Sequence, residues 1–385
     1  MNKNFPETEY NQSYFPKFML FLIALSSVLS SFSQEWPDWR GMGREGVWKE
    51  SGIISKFSSD TIQLKWSVPC GPGYSGPTVS GGKVYLTDRI EKPTESERVM
   101  CVSSSDGKLI WSHTYACPYG NVGYPNGPRA SVVINEGKAY SLGTMGNIFC
   151  FNAQTGSVIW QIDLNRKYNI KMPIWGIAAT PLIAGNKLIM QIGGSDGASI
   201  LALDKNTGKE LWRSSGDKIS YSAPILIKQA GKPVIVVWTA ENLNGLDPET
   251  GKIYWKIPFE VRMGMGISTP VVYNDKIFVS CFFSGSLLVR LNKDKLSAEK
   301  VWMRAGESEY KTDALHCVIN TPVIRNDYIY GVDSYGELRC LNLLTGDRVW
   351  EDLSAVRKNR WANIHFIEKG KQTWMFNEQI GRAHV

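Results

Sequence analysis

Short runs of β-branched, aromatic and aliphatic residues recur along this chain, each stopped by a turn dipeptide. In residues 76–111, GPTVS leads into Gly81-Gly82, then KVYLTD, a loop, RVMCVSS, an Asp106-Gly107 turn and KLIW. This reads as four short strands joined by hairpins, because such dipeptides supply the φ > 0 positions that tight hairpins require. The same grammar returns in TPLIAGNKLIMQIG (180–193), TPVVYNDKIFVSC (269–281) and TPVIRNDYIYGVD (321–333). The proline near each start suits a strand beginning, where a missing N–H is tolerated. No segment sustains an apolar 3.6-residue period of useful length, which argues against a helical solenoid.

Each unit closes on a tryptophan. The phrases are DGKLIW (106–111), TGSVIW (155–160), TGKELW (207–212), TGKIYW (250–255) and TGDRVW (345–350), with a degenerate copy, KLSAEKVW, ending at Trp302. Trp66, in IQLKW, reads as the end of an isolated final strand. Intervals from Trp66 through Trp350 are 45, 49, 52, 43, 47 and 48 residues. A period of this size marks one structural unit copied many times. A β-sandwich has short strands but no such repeat. One four-stranded sheet cannot bury both faces alone, whereas radial stacking of neighbours does, so the expected fold is an all-β propeller.

The phrase resembles the PQQ-like propeller repeat, with its small residue, aspartate, Thr-Gly turn and closing Trp. LALDKNTGKELW (201–212) matches fully and NGLDPETGKIYW (244–255) closely. MCVSSSDGKLIW and FCFNAQTGSVIW depart at the aspartate, and RCLNLLTGDRVW carries Asn342 there. The resemblance covers residues 62–377 and implies that Trp66, Trp111, Trp160, Trp212, Trp255, Trp302 and Trp350 dock each blade onto the next. It carries no particular activity, since one fold hosts enzymes and scaffolds alike. The quinoprotein dehydrogenases of this fold imply an adjacent Cys-Cys pair over the cofactor, and no Cys-Cys occurs here. Their calcium-site and catalytic-aspartate segments are not recognisable either.

Of seven cysteines, Cys101, Cys150 and Cys340 lie ten residues before a closing Trp. Ala202 and Gly245 fill that place in two other units, so the position selects a small packed side chain. Disulfides among Cys70, Cys117, Cys281 and Cys317 remain open, and no spacing suggests zinc.

Lys17 followed by FMLFLIALSSVLSSF (18–32), with Ser31 and Ser33 at the cleavage positions, reads as a secretory signal over 1–33. The stretch is too short and serine-rich for a membrane span, and the mature chain has none. The expected location is periplasmic or secreted. Residues 34–61 form a cap segment that opens on WPDWRGMGREG (36–46) and lies across one end of the propeller. Trp36, Trp39 and Arg40 either pack there or edge a ligand site. The propeller itself takes 62–379. The resemblance implies eight blades, of which six are complete, with strand 62–68 closing the last one. IGRAHV (380–385) reads as a non-native tail, which leaves the ring open with unpaired edges.

The formal net charge is +7, and the leader's Lys3, Lys17, Glu7 and Glu9 cancel. No basic run or basic-aromatic cluster accompanies it, so nucleic acid is not an expected partner and the charge serves solubility.

Channel candidates are Tyr74, Arg129, Tyr221 and Asn320 at strand entries, with Trp175, Asp313, His316, Arg360 and Trp361 in nearby connections. Loops bear function more often than strands. Arg129 suits bidentate binding of a carboxylate, and Trp175 suits stacking on a ring. His316 suits a general base, with Asp313 on the same loop. Alternatively these groups satisfy one another around a water-filled channel. No catalytic residue or metal ligand is assigned. Two functions stay open. One is a non-catalytic propeller that binds a protein or extended ligand on its loop face and needs no cofactor. The other is an alcohol or sugar oxidoreductase using PQQ with calcium.

Overall fold

The computed structural model describes residues 35–50, 64–378 and 383–384. The signal segment 1–33 lies outside them, as does most of the tail at 380–385. Strands β1 (Thr78–Ser80), β2 (Lys83–Ile90), β3 (Ser96–Ser103) and β4 (Leu109–Ala116) form an antiparallel meander, blade 1. Five more four-stranded meanders follow as blades 2 to 6, over 133–163, 182–214, 225–258, 271–304 and 323–352. A seventh sheet joins Ile364–Lys369, Gln372–Asn377 and the short pair Ala383–His384. Consecutive sheets pack face to face around an axis, which makes the fold a β-propeller. Among the described residues, no helix is long and apolar enough to cross a membrane.

There is no single core. Each interface between consecutive sheets holds its own apolar cluster. Tyr85 meets Phe151 between blades 1 and 2, and Tyr140 meets Leu188 between blades 2 and 3. Ile189 meets Val237, Val236 meets Val279, Phe278 meets Ile329, and Val332 meets Phe366 at the interfaces that follow. Stability is therefore a sum of nearest-neighbour terms, as in other repeat architectures.

The closing tryptophans make these interfaces specific. Each indole N–H donates across to the turn between the third and fourth strands of the next blade. Trp111 donates to Ala153 O (3.0 Å), Trp160 to Lys205 O (3.1 Å), Trp212 to Pro248 O (3.0 Å) and Trp302 to Leu343 O (2.9 Å). The turn glycine lies flat against the same ring. A Cβ on Gly156 would sit 2.5 Å from the Trp111 ring, and the residue has φ +72°. The Thr-Gly and the Trp of the phrase thus serve different neighbours. Asp204 accepts the turn N–H groups of Asn206 and Thr207, each at 2.9 Å. Asn152, Asn292 and Asn342 accept the equivalent bonds, so an amide oxygen replaces the carboxylate there without loss.

Two units depart from this pattern. Blade 5 has no Thr-Gly turn, and Trp255 donates instead to Gln229 Oε1 at 2.9 Å. The Gln229 amide nitrogen then binds the carbonyls of Asn292, Lys295 and Ser297, relaying the contact to the degenerate turn. Trp350 has no such turn before it among the described residues and is 42% exposed.

The small residue ten places before Trp has a geometric cause. Cys101 faces Tyr85 on one side and Trp111 on the other, and Cys150 and Cys340 repeat the arrangement with Tyr140/Trp160 and Tyr330/Trp350. The two rings close over the thiol at 6.1, 6.2 and 6.1 Å between centroids. Burial pushes the Cys101 and Cys150 thiols up to about 11. All seven cysteines are free thiols.

The strand expected at 62–68 is absent over its described part, 64–68. Among the described residues no strand edge lies against it to supply ladder bonds. Trp66 nevertheless docks like its counterparts, donating to Ser104 O at 3.0 Å with its ring over Gly107.

Replacing Trp212 with alanine removes a buried ring and its bond, and is expected to cost about 3–5 kcal/mol. Trp350→Ala, which loses only a half-buried contact with Tyr330 and no bond to a following turn among the described residues, is expected to cost distinctly less, about 1 kcal/mol. Urea denaturation of the two variants against the parent measures the contrast.

Candidate functional site: a capped central channel

Each connection between blades descends the axis before its first strand begins. Early residues of these connections therefore ring the mouth, and residues a few places later line the wall. Together they enclose a cavity of about 780 Å³ whose wall is largely apolar. Tyr74, Tyr124, Trp175, Tyr221 and Trp361 line it, with Ala178, Ala223 and Thr321 among the wall residues. Inter-blade bonds hold the wall: Thr78 Oγ1 donates to Val132 O (2.9 Å), and the N–H groups of Ser131 and Thr269 donate to Thr180 Oγ1 and Thr321 Oγ1, each at 3.1 Å.

Residues 36–48 close the opposite end. Trp36 exchanges backbone bonds with Val79 of blade 1 (2.8 and 2.9 Å), and Pro37 O accepts from Ile134 of blade 2 (2.8 Å). Trp39 Nε1 donates to Thr269 Oγ1 beside blade 5 at 2.8 Å. Gly46 O accepts from Glu368 of the seventh sheet (2.8 Å), which in turn accepts from Trp48 (2.7 Å).

Arg44 is the hub of this strap. It is 4% exposed, and all its N–H groups are engaged. Nε and one terminal nitrogen grip Asp38 at 2.9 and 3.0 Å. The remaining donors reach Thr180 O (3.1 Å), Pro181 O and Pro224 O (2.7 Å), between blades 3 and 4. Burial raises the Asp38 carboxyl above its ordinary value, and the Arg44 charge opposes that shift. The tight path explains the glycines of WPDWRGMGREG: a Cβ on Gly46 (φ +69°) would lie 2.3 Å from the Arg40 guanidinium.

At the mouth, Arg129 lies 5.2 Å above the Tyr74 ring, and Trp175 packs on Tyr221 at 5.4 Å. Arg129 is largely occupied: its terminal nitrogens donate to Gly127 O (2.6 Å), Gly123 O (3.0 Å), Tyr124 O (2.6 Å) and Thr144 Oγ1 (3.4 Å). Trp361 packs on Tyr124 and Phe282 and lies beneath Arg360, which pairs with Glu309 at 2.9 Å.

Four expected channel residues lie elsewhere: Arg360 lines a separate surface cleft with Glu309 and Tyr310, and the other three are engaged by other parts of the protein. His316 is buried behind the wall, where Nδ1 donates to Phe282 O (2.8 Å) and Nε2 accepts from Gly306 N–H (3.2 Å). With both nitrogens committed, it has no lone pair for a substrate proton. Asp313 turns away from it and chelates Arg304 at 2.8 and 2.9 Å. Asn320 is fully buried and donates to Val332 O (3.3 Å) and Asn363 Oδ1 (3.2 Å). In each case a longer-range partner outcompetes the channel.

The sequence reading missed Arg44, although its segment carries a glycine every few residues, a sign of a forced left-handed path. It also missed His365, Phe366 and Phe376 of the seventh sheet, which line the channel. His365 is enclosed by protein but open to the cavity, and burial, then the Arg40 charge, holds its imidazole below the ordinary value.

The family model described as outer membrane protein assembly factor BamB matches residues 95–352, more than half of the chain. The chain belongs to this PQQ-like repeat family. The structure of BamB from Moraxella catarrhalis is similar to this propeller over 81% of this chain and 84% of that one, with a TM-score of 0.51. At 14% identity, that likeness shows the fold alone. A quinoprotein ethanol dehydrogenase of Pseudomonas putida is 31% identical over 153 residues, covering 36% of this chain and 24% of that protein. The matched segment therefore spans about a quarter of that relative's length. An uncharacterized protein of Rickettsia conorii is 26% identical over 63% of this chain and 58% of its own.

Two outcomes follow from the strap. Arg44→Met leaves Asp38 buried and unpaired and is expected to cost about 3–5 kcal/mol in urea denaturation. For His365, the depressed folded value means that the unfolded chain binds the proton more tightly. Stability is then complete above the ordinary imidazole value of about 6.5 and falls as pH drops below it. His365→Gln is expected to reduce that fall when denaturation is compared between pH 7.5 and pH 5.

Proposed function

We propose that this chain is an exported, non-catalytic propeller that binds a protein partner or an extended chain on its loop face. The observation that carries the reading is the occupancy of its reactive groups. His316 has no free nitrogen, Asp313 is held by Arg304, and Arg129 is largely taken by carbonyls. What the loop face leaves open is apolar and aromatic surface. Tyr310 is 76% exposed, and Tyr74, Tyr124, Ile174, Met263 and Ile319 are exposed around the same mouth. Aromatic clusters beside arginines such as Arg262 and Arg360 are the usual anchors of protein recognition. The family description, an outer membrane protein assembly factor, agrees with a binding role in an exported protein.

The quinone reading meets a poor donor set. Calcium needs six to eight oxygen ligands. Among the described residues, Asp38 is the one carboxylate lining the channel, and Arg44 holds both its oxygens. No described cluster of three or more His, Cys, Asp or Glu is placed to hold a metal. The residues present do not fit PQQ with calcium.

A photo-crosslinking side chain at Tyr310 or Met263, on the full chain in its native host, is expected to trap one defined protein. The same probe at Leu211, on an outer strand, is expected to trap none. Equal adducts from Leu211, or PQQ-dependent dye reduction by the purified protein, would overturn the proposal.

A further inference from the structure

The channel itself has unused recognition groups at its capped end. Arg40 lines the cavity, and the strap bends it there with φ +60°. Its Nε and one terminal nitrogen donate to Arg44 O (3.4 Å) and Glu45 O (3.2 Å), while the other terminal nitrogen donates to no described atom. No described carboxylate pairs with it. Glu368, whose field reaches it, is bound to Arg325 at 2.9 Å. Burial pushes the guanidinium down to about 10, which still leaves it charged at neutral pH.

Ser131 is a second, independent sign. Its side chain is 1% exposed, lines the cavity, and its hydroxyl has no hydrogen-bond partner. A Cβ on Gly76 would sit 3.4 Å from that hydroxyl and 3.5 Å from the Trp39 ring, so both face one spot beside the strap. A buried hydroxyl without a partner is costly, and a ligand oxygen would remove that cost. Above this polar end the wall is aromatic and aliphatic. The cavity of about 780 Å³ lies within the usual range for small-molecule sites.

We propose that the channel binds a small apolar monocarboxylate, with its carboxylate at Arg40 and Ser131 and its apolar body among the channel aromatics. A cation is repelled by Arg40. An apolar alcohol gains the wall contacts without the charge-assisted bond. A polyanion finds no second free cation at the capped end. This site goes beyond loop-face docking and needs no partner, so its failure leaves that reading standing.

The test uses the purified chain and follows its tryptophan fluorescence, with calorimetry as a second readout. Decanoate and 2-naphthoate are titrated separately, to distinguish an acyl from a flat aromatic body, beside decanol and decylamine. Saturable binding of at least one acid is expected, at least about tenfold tighter than decanol, the worth of one hydrogen bond to a charged group. Arg40→Gln is expected to abolish that preference, and Ala178→Phe to block the channel. Ser131→Ala is expected to weaken the acid while the melting curve stays folded, which keeps the test open if Arg40→Gln unfolds. Lys300→Gln, exposed on the outermost strand of blade 5, is expected to change nothing. No saturable binding by either acid, or equal affinity for decanoate and decanol, would overturn the proposal.

Discussion

One contact organises the whole ring: an indole from each blade laid on the turn glycine of the next, its N–H on a turn carbonyl. Away from the hydrogen bonds along the channel wall, each blade interface is otherwise an apolar sandwich, and apolar contact alone is non-directional. The indole bond adds a directional contact at a fixed point of each such interface. The glycine is required twice over, by its positive φ and by the ring against it. Blade 5 shows the constraint at work. Its turn has lost the Thr-Gly, and Gln229 relays the indole bond to the carbonyls of that turn.

The strap acts at right angles to this chain of pairwise locks. Residues 36–48 touch blades on every side of the axis, so one short segment couples interfaces that are otherwise independent. Arg44 makes that coupling specific because a guanidinium offers a rigid fork of donors. The same closure turns an open axial hole into a pocket with one polar end. Stability and recognition therefore share residues here. Arg40 is held at the channel floor by the fold of the strap that Arg44 anchors.

The blade pattern was legible residue by residue. The strands around Gly81-Gly82 and Asp106-Gly107, the proline at strand entries, and the small residue at Cys101, Cys150 and Cys340 all follow from local periodicity and turn chemistry. The exceptions are instructive. Strand 62–68 had the right composition and still does not form over its described part, because a strand exists only where a neighbouring edge accepts its bonds. Asn152 and Asn342 seemed departures from the aspartate of the repeat, yet each accepts the same turn N–H groups.

The candidate site was legible only in part. Tyr74, Arg129, Trp175 and Tyr221 do line the channel, because position within a repeat determines which residues face the axis. Sequence position could not tell whether their polar atoms would be free. His316 lost its nitrogens to Phe282 and Gly306, and Asp313 lost its oxygens to Arg304, through contacts that no local pattern encodes. Conversely, Arg44 and Arg40 sit four residues apart in one motif. One is fully consumed by Asp38 and by carbonyls more than a hundred residues away, and the other keeps a free nitrogen in the cavity. By itself the sequence determined the repeat, its strands and the locks between blades, since these arise from spacings within neighbouring units. Tertiary structure alone decided which charged and polar groups remain available, since hydrogen-bond competition is settled by the partners that folding brings together.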